Sequence, residues 1–244
     1  ERLLVSERDP DSLIARQLAF WTRTLANLPD QLELPSDYPR PAEASYRGGV
    51  IPFHISQKLH GQLLAIAREC RASLFMVLQS ALAALLTRLG AGTDIPIGSP
   101  IAGRSDDALD GPVGLFINTL VLRTDTSGNP SFRELLARVR EVNLAAYEHQ
   151  DLPFERLVGV LNPVRARSRH PLFQIMLVLQ NTPDAALELP GVESSLQIES
   201  AGTAKFDLTV ELKERRSPDG TPAGLDGILE YSADLFKRST AEAM

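Results

Sequence analysis

The stretch Leu74-Phe-Met-Val-Leu-Gln-Ser-Ala-Leu-Ala-Ala-Leu-Leu86 decides the fold class. It is apolar nearly all round, interrupted only by Gln79 and Ser80. Ser73 stands before it as an N-cap and Gly90 follows it as a C′ residue. Such a helix belongs inside a domain, and it is too short to span a bilayer. Ile95 to Ile101 follows and reads as a strand. A buried helix feeding a strand is the unit of an α/β fold.

The same alternation extends in both directions. A short strand at about Gly49 to Ile55 precedes a helix that Ser56 caps and that runs to about Cys70. Further back, Asp11 and Ser12 offer caps for a helix to about Asn27. Pro29, Pro35, Pro39 and Pro41 then exclude helix interior, so the chain runs extended. Toward the C-terminus, a polar loop over Gly103 to Pro112 leads into a strand read over Val113 to Arg123. Ser131 with Glu134 makes a capping box for a helix to about Glu148, and Pro153 starts a short helix to about Leu161. Pro171 to Gln180 is a continuous apolar run, as in a buried strand. A loop over Asn181 to Gly191 leads to a strand over Val192 to Glu199, expected to be an exposed crossover segment. Phe206, Leu208, Val210 and Leu212 alternate with polar residues, so that strand has one wet face. Arg215 to Gly224 reads as a long hairpin tip, Leu225 to Tyr231 as the returning strand, and a last helix starts near Thr240. The expected fold is α/β, a two-layer sandwich in which helices pack on a mixed β-sheet.

Composition excludes several functions. Net charge is −6, with a pI near 5.3. That surface offers no electrostatic footprint for nucleic acid or an anionic membrane. The single cysteine, Cys70, rules out an intrachain disulfide and leaves no basis for a Cys-built metal site. Glu1 to Asp11 is charged and lacks an apolar core, so no secretory signal opens the chain and a cytoplasmic location is expected. Gly-x-Ser-x-Gly, P-loop, dinucleotide and His-Glu-x-x-His patterns are all absent. His54 and His60 straddle a strand–helix junction, which is poor metal geometry, and both read as surface histidines. The residue types alone reach an α/β domain with no self-contained catalytic or metal site.

Four stretches say more. Ile97-Gly-Ser-Pro-Ile-Ala-Gly-Arg104 ends a strand with two glycines and an arginine. Val113-Gly-Leu-Phe-Ile-Asn-Thr-Leu-Val-Leu-Arg123 carries Asn118 within an apolar run, where it could simply satisfy neighbouring backbone. His149-Gln-Asp-Leu-Pro-Phe-Glu155 puts His149 and Asp151 between two helices, where Asp151 could cap the second. Arg165-Ala-Arg-Ser-Arg-His-Pro-Leu-Phe-Gln174 is a basic loop feeding a buried strand, and Arg104 and Arg169 could be plain surface charges.

In this order, the four stretches resemble the later motifs of the condensation domains of non-ribosomal peptide synthetases. Ile117 stands where the family has Val. Phe20-Trp21 through Leu34-Pro-Ser-Asp-Tyr-Pro-Arg-Pro41, Lys205-Phe-Asp-Leu208 and Leu229-Glu-Tyr-Ser-Ala-Asp-Leu-Phe236 also look like family segments. The likeness covers essentially the whole chain. One departure stands out: the family's His-His-x-x-x-Asp-Gly hallmark is missing, since no two histidines are adjacent. The Tyr-x-Asp-x-Ala-x-Trp segment that usually precedes the Tyr-Trp helix is missing too. The chain is therefore expected to be the C-terminal, acceptor-side lobe alone. Residues 1–41 would be a lead-in helix and Pro-rich segment from the N-terminal lobe, and 42–244 the lobe itself.

The resemblance implies a mechanism. Two lobes, each similar in fold to chloramphenicol acetyltransferase, form a V around a tunnel. The α-amine of a carrier-bound aminoacyl thioester attacks a carrier-bound donor peptidyl thioester, giving an amide and a free pantetheine thiol. The second histidine of the absent hallmark orients the amine or takes its proton, so no catalytic residue is expected here. Arg104 is expected to pair with an aspartate of the other lobe, and Asn118 and His149 to lie near the tunnel. Gly98 and Gly114 would allow close approach of the pantetheine arm or of backbone; Asp151 and Arg169 look structural. The implied partners are the N-terminal lobe, upstream and downstream peptidyl carrier proteins and an adjacent adenylation domain, with no nucleic acid and no membrane. The domain itself is expected to bind no cofactor, its substrates riding on the carriers' 4′-phosphopantetheine. Phe116-Ile-Asn-Thr119 favours condensation over an epimerisation-type relative, and Arg169-His-Pro-Leu-Phe-Gln174 leans toward a D-configured donor. The other reading is a catalytically silent member of the fold that recruits a partner protein.

Overall fold

A computed structural model describes residues 9, 11–103, 111–164, 166–180 and 201–244. Arg104 and the crossover segment expected between 181 and 200 lie outside the described residues.

Three serines start the helices as the sequence suggests. Ser12 accepts from the Ala15 N–H and opens α1 (Leu13–Thr24). Ser56 does the same for α2 (Gln57–Glu69), as does Ser73 for α3 (Leu74–Arg88). Each side-chain oxygen satisfies an N–H that the helix itself leaves unpaired. The capping box of Ser131 and Glu134 opens α4 (Phe132–Glu148). Gly90 sits at φ +95° just past α3, as a left-handed C′ residue must. Two short helices, α5 (Phe154–Leu161) and α6 (Arg238–Ala243), complete the set among the described residues.

Among the described residues six strands form one sheet: β1 (Gly48–Ile55), β2 (Asp94–Ile101), β3 (Asn118–Asp125), β4 (Ile175–Gln180), β5 (Leu208–Arg216) and β6 (Pro222–Ser232). Their order is β1-β6-β5-β4-β2-β3. The β2/β4 and β4/β5 pairs are parallel and the others antiparallel, so the sheet is mixed, as expected.

Several boundaries differ from the sequence reading. The strand read over Val113 to Arg123 begins only at Asn118. Its partner β2 ends at Ile101, opposite Asn118, so among the described residues the ladder stops there and 113–117 lie beyond it. The apolar run from Pro171 becomes a strand only at Ile175, where pairing with β2 and β5 begins. The hairpin tip is shorter than expected, because β5 runs to Arg216 and β6 starts at Pro222.

The core lies on both faces of the sheet. Leu78, Leu82 and Leu86 of α3 pack with Ile95, Ile97, Ile175 and Leu177. Successive strand residues face opposite ways, so Met176 belongs to a second cluster, with Trp21 and Leu25 of α1, Leu157 of α5, Val121 and Phe173. Helix α3 is mostly buried, with Ala81, Leu85 and Arg88 exposed. Strand β4 is buried through Leu177 and half-buried at Val178 and Leu179. Arg123 ties the end of α1 to the sheet: it grips Asp94 with two donors and gives Nη1 to the carbonyls of Thr24 (2.9 Å) and Ala26 (2.8 Å).

His60 is a correction. It is fully buried rather than at the surface. Its Nδ1 accepts from the Gly224 N–H (3.2 Å) and its Nε2 donates to Glu214 (3.1 Å). Both partners lie on the β5/β6 hairpin, far away in sequence. His54 is exposed, beside Asp226.

Candidate functional site

The four singled-out stretches meet in a closed ring of contacts. The first and second pair as β2 and β3, with Ile101 opposite Asn118. Gly103 (φ +63°) comes so close to Phe116 that a Cβ there would sit 1.8 Å from the Phe116 carbonyl oxygen. Only glycine fits that approach.

The second and third stretches meet at Asn118. Its Nδ2 donates to the carbonyls of Gln150 (3.0 Å) and Leu152 (2.8 Å). Its Oδ1 accepts from the N–H groups of Thr119 (2.9 Å) and Phe154 (3.0 Å). These four bonds use both donors and both acceptor lone pairs of an amide. The side chain thus fastens the α4–α5 junction and supplies the cap that Pro153 cannot.

The third and fourth stretches join through aromatic packing. The Phe154 ring lies 5.4 Å from His170 and 5.8 Å from Phe173. The fourth returns to the first, because Phe173 fills the space beside Gly98. A Cβ at Gly98 would lie 2.2 Å from that ring. What approaches Gly98 closely is this side chain of the same chain. At Gly114 the nearest neighbour of such a Cβ is the Phe116 ring, at 3.1 Å.

Helix α1 clasps the ring from outside. Trp21 Nε1 donates to the His149 carbonyl (2.7 Å), and Phe20 stacks on the His149 imidazole at 3.8 Å. His149 Nδ1 lies 2.8 Å from the Ala145 carbonyl, which can only accept, so Nδ1 carries the proton. Asp151 accepts from Gln17 Nε2 (3.0 Å); it holds α1, while Asn118 caps α5.

A buried pair escaped the sequence reading. Arg40, from the Pro-rich segment, grips Asp207 with both terminal nitrogens and donates to the Ser168 carbonyl. Burial pushes the Asp207 carboxyl above the usual range, against the pull of Arg40 and Arg169. The sequence pattern gave no signal for it: Asp207 alternates with Phe206 and Leu208 and so falls on the face that reads as wet, yet it is buried. Arg169 is half-buried beside this pair. Next to it, burial and the Lys205 charge lower the His170 pKa to about 4, so the ring is neutral at pH 7.

Beyond the ring a cleft of about 490 Å³ opens between the first turn of α3 and the last turn of α4. Phe75, Leu120, Tyr147 and Val178 are among its walls. Among the described residues no cluster of His, Cys, Asp or Glu could hold a metal ion. No single helix among them is long and apolar enough to cross a membrane.

The comparisons agree with this geometry. The family model for the condensation domain matches residues 6–244. A dimodular nonribosomal peptide synthase of Bacillus subtilis is 72% identical over the whole chain, which spans 10% of that protein. The X-domain from teicoplanin biosynthesis superposes with a TM-score of 0.90 at 38% identity, over 98% of this chain and 54% of that one. The same domain in complex with OxyB gives 0.89 at 37% identity, over 99% of this chain and 52% of that one. The chain thus spans a tenth of the synthase and about half of the solved domain chains. With the ring of motif contacts and a family match over nearly its full length, the chain belongs to the condensation-domain family of non-ribosomal peptide synthetases.

Proposed function

We propose that this chain is the acceptor-side lobe of a condensation domain that forms peptide bonds. The observation that carries the reading is the closed ring of the four family stretches, present at 72% identity to a nonribosomal peptide synthase. The amine of a carrier-bound aminoacyl thioester attacks the donor thioester carbonyl, and the pantetheine thiolate leaves. The base comes from the His-His-x-x-x-Asp-Gly lobe, and this lobe contributes positioning. Base catalysis typically gives about 10²–10⁴-fold. Holding two reactants in line can remove about 7–11 kcal/mol of barrier. Val113 and Leu115 stand almost uncovered and Ile117 is well exposed, which supports a reading in which this surface packs on another part of the domain. Arg104 would join that interface through an aspartate of the other lobe. The partners are then the other lobe, two carrier proteins and an adenylation domain, with substrates on phosphopantetheine arms.

The test pairs an intact domain holding this lobe with loaded donor and acceptor carriers and follows dipeptidyl carrier by mass spectrometry. A dipeptide is expected; its absence from a folded, His-His-bearing domain would refute the reading. A second reading, a silent recruitment platform, draws on the likeness to the X-domain that forms a complex with OxyB. Stable capture of an oxygenase by a domain inactive in the carrier assay would favour it.

A further inference from the structure

His60 is built into the fold in one protonation state. It lies on α2 with its side chain fully buried. A backbone N–H can only donate, so the Gly224 contact at 3.2 Å requires a bare lone pair on His60 Nδ1. The neutral ring then carries its one proton on Nε2, which faces Glu214 at 3.1 Å. Gly224 is held in place on its other side. A register shift between Arg215 and Arg216 interrupts the β5/β6 ladder beside it, and β1 ends at Ile55, opposite Leu225. Its backbone stands at φ +110°, and a Cβ there would lie 2.7 Å from the Ile55 carbonyl oxygen and 2.8 Å from the His54 ring. Pinned against β1, Gly224 gives its N–H to α2. The hairpin tip beyond it bonds within itself: the Ser217 N–H donates to the Thr221 carbonyl, the Gly220 N–H to the Ser217 carbonyl, and Arg216 to the Gly220 carbonyl.

A second proton on His60 sets two N–H groups against each other and takes the acceptor from Gly224. Glu214 draws positive charge toward the ring, yet its carboxylate is 25% exposed and already binds Arg216 at 2.6 Å. His60 stands at the end of the first turn of α2, four residues after the N-cap Ser56, where the helix dipole opposes a cation. Lys58, exposed on the same turn, opposes it as well. Across Gly224, His54 and Arg215 share Asp226.

We infer that His60 is a proton-sensitive latch. Neutral, it fastens the β5/β6 hairpin to α2; protonated, it releases Gly224 and frees residues 215–224 while the rest of the sheet stays paired. Histidine is the side chain that takes up such a proton between about pH 8 and about pH 5. The latch is independent of the peptide-forming reading.

The test is ¹⁵N NMR of the 244-residue chain. At about pH 7.5 the backbone order parameters of Arg215, Arg216, Ala223 and Gly224 are expected near about 0.85, and at about pH 5 below about 0.6. The buried Val77 and Val139 should stay rigid at both. The imidazole spectrum should show His60 Nδ1 bare at the higher pH and protonated at the lower. His60→Gln, whose amide accepts and donates without titrating, should hold the hairpin rigid throughout; His54→Gln should leave the response as in wild type. An equally ordered hairpin at both pH values, or a proton on Nδ1 at the higher one, overturns the latch. So does a loss of order shared by Val77 and Val139, a response that survives His60→Gln, or one that disappears in His54→Gln. Should His60→Gln fail to fold, the wild-type titration decides: one midpoint for the Nδ1 signal and the hairpin order supports the latch, and two separate midpoints overturn it.

Discussion

Asn118 caps the helix that begins at Phe154: its Oδ1 accepts the Phe154 N–H at 3.0 Å across 36 residues of chain. The same side chain holds Gln150 and Leu152 through its Nδ2, so its bonding capacity is spent within the chain. Its role follows as positioning: it sets where β3 ends and where the α4–α5 junction, with His149, stands. Asn118→Ala removes a cap and leaves carbonyls unpaired, a loss of about 2–4 kcal/mol. Urea denaturation should show it as a lower midpoint at unchanged slope. A midpoint equal to wild type would mean that these bonds contribute nothing.

Gly98→Ala forces a methyl group against the Phe173 ring. Overpacking of this kind costs about 1–3 kcal/mol. Phe173→Leu destabilises alone by leaving a cavity, yet it should relieve part of the Gly98→Ala loss. A double-mutant cycle in thermal unfolding reads that coupling, and strict additivity would refute the contact.

Breaking the Arg40–Asp207 pair should be far worse than replacing it. Arg40→Met leaves the Asp207 carboxylate buried without a partner, a loss of about 3–5 kcal/mol. Arg40→Met combined with Asp207→Leu should recover much of that. Equal loss in both variants would show that packing by the Arg40 stem, and not the charge, matters.

His170 gives a pH signature. Its pKa in the folded chain is about 4, below the value near 6.5 of an exposed histidine. The unfolded chain therefore binds the proton first as pH falls. The stabilisation from the neutral ring is complete above pH 6.5 and is lost between about 6.5 and 4. For this partly buried ring it amounts to about 2 kcal/mol. His170→Phe should flatten that part of the wild-type stability curve. An unchanged slope in the variant would contradict the burial of a neutral ring.

Helix starts were legible because serine caps act within three residues of the chain. Strand ends were not, because they depend on partners. Residues 113–117 have the apolar pattern of a strand, yet the β2–β3 ladder stops at Ile101 opposite Asn118. His60 misread for the same reason: Glu214 and Gly224 satisfy it from more than 150 residues away. The motif stretches were legible as a set, and Asn118 had backbone bonding among its possible roles. The closure of the ring through Phe173 and Gly98 needed the fold, because nothing in Gly98 itself names the ring that fills its space.

The most direct measurement of the central claim is dipeptidyl-carrier formation by this chain alone and by the same chain joined to an N-terminal condensation lobe carrying His-His-x-x-x-Asp-Gly. Intact mass spectrometry of the acceptor carrier supplies the readout. The account predicts background levels from the chain alone and catalysed dipeptide from the joined domain. Turnover by the chain alone, or none from a folded joined domain, would contradict it.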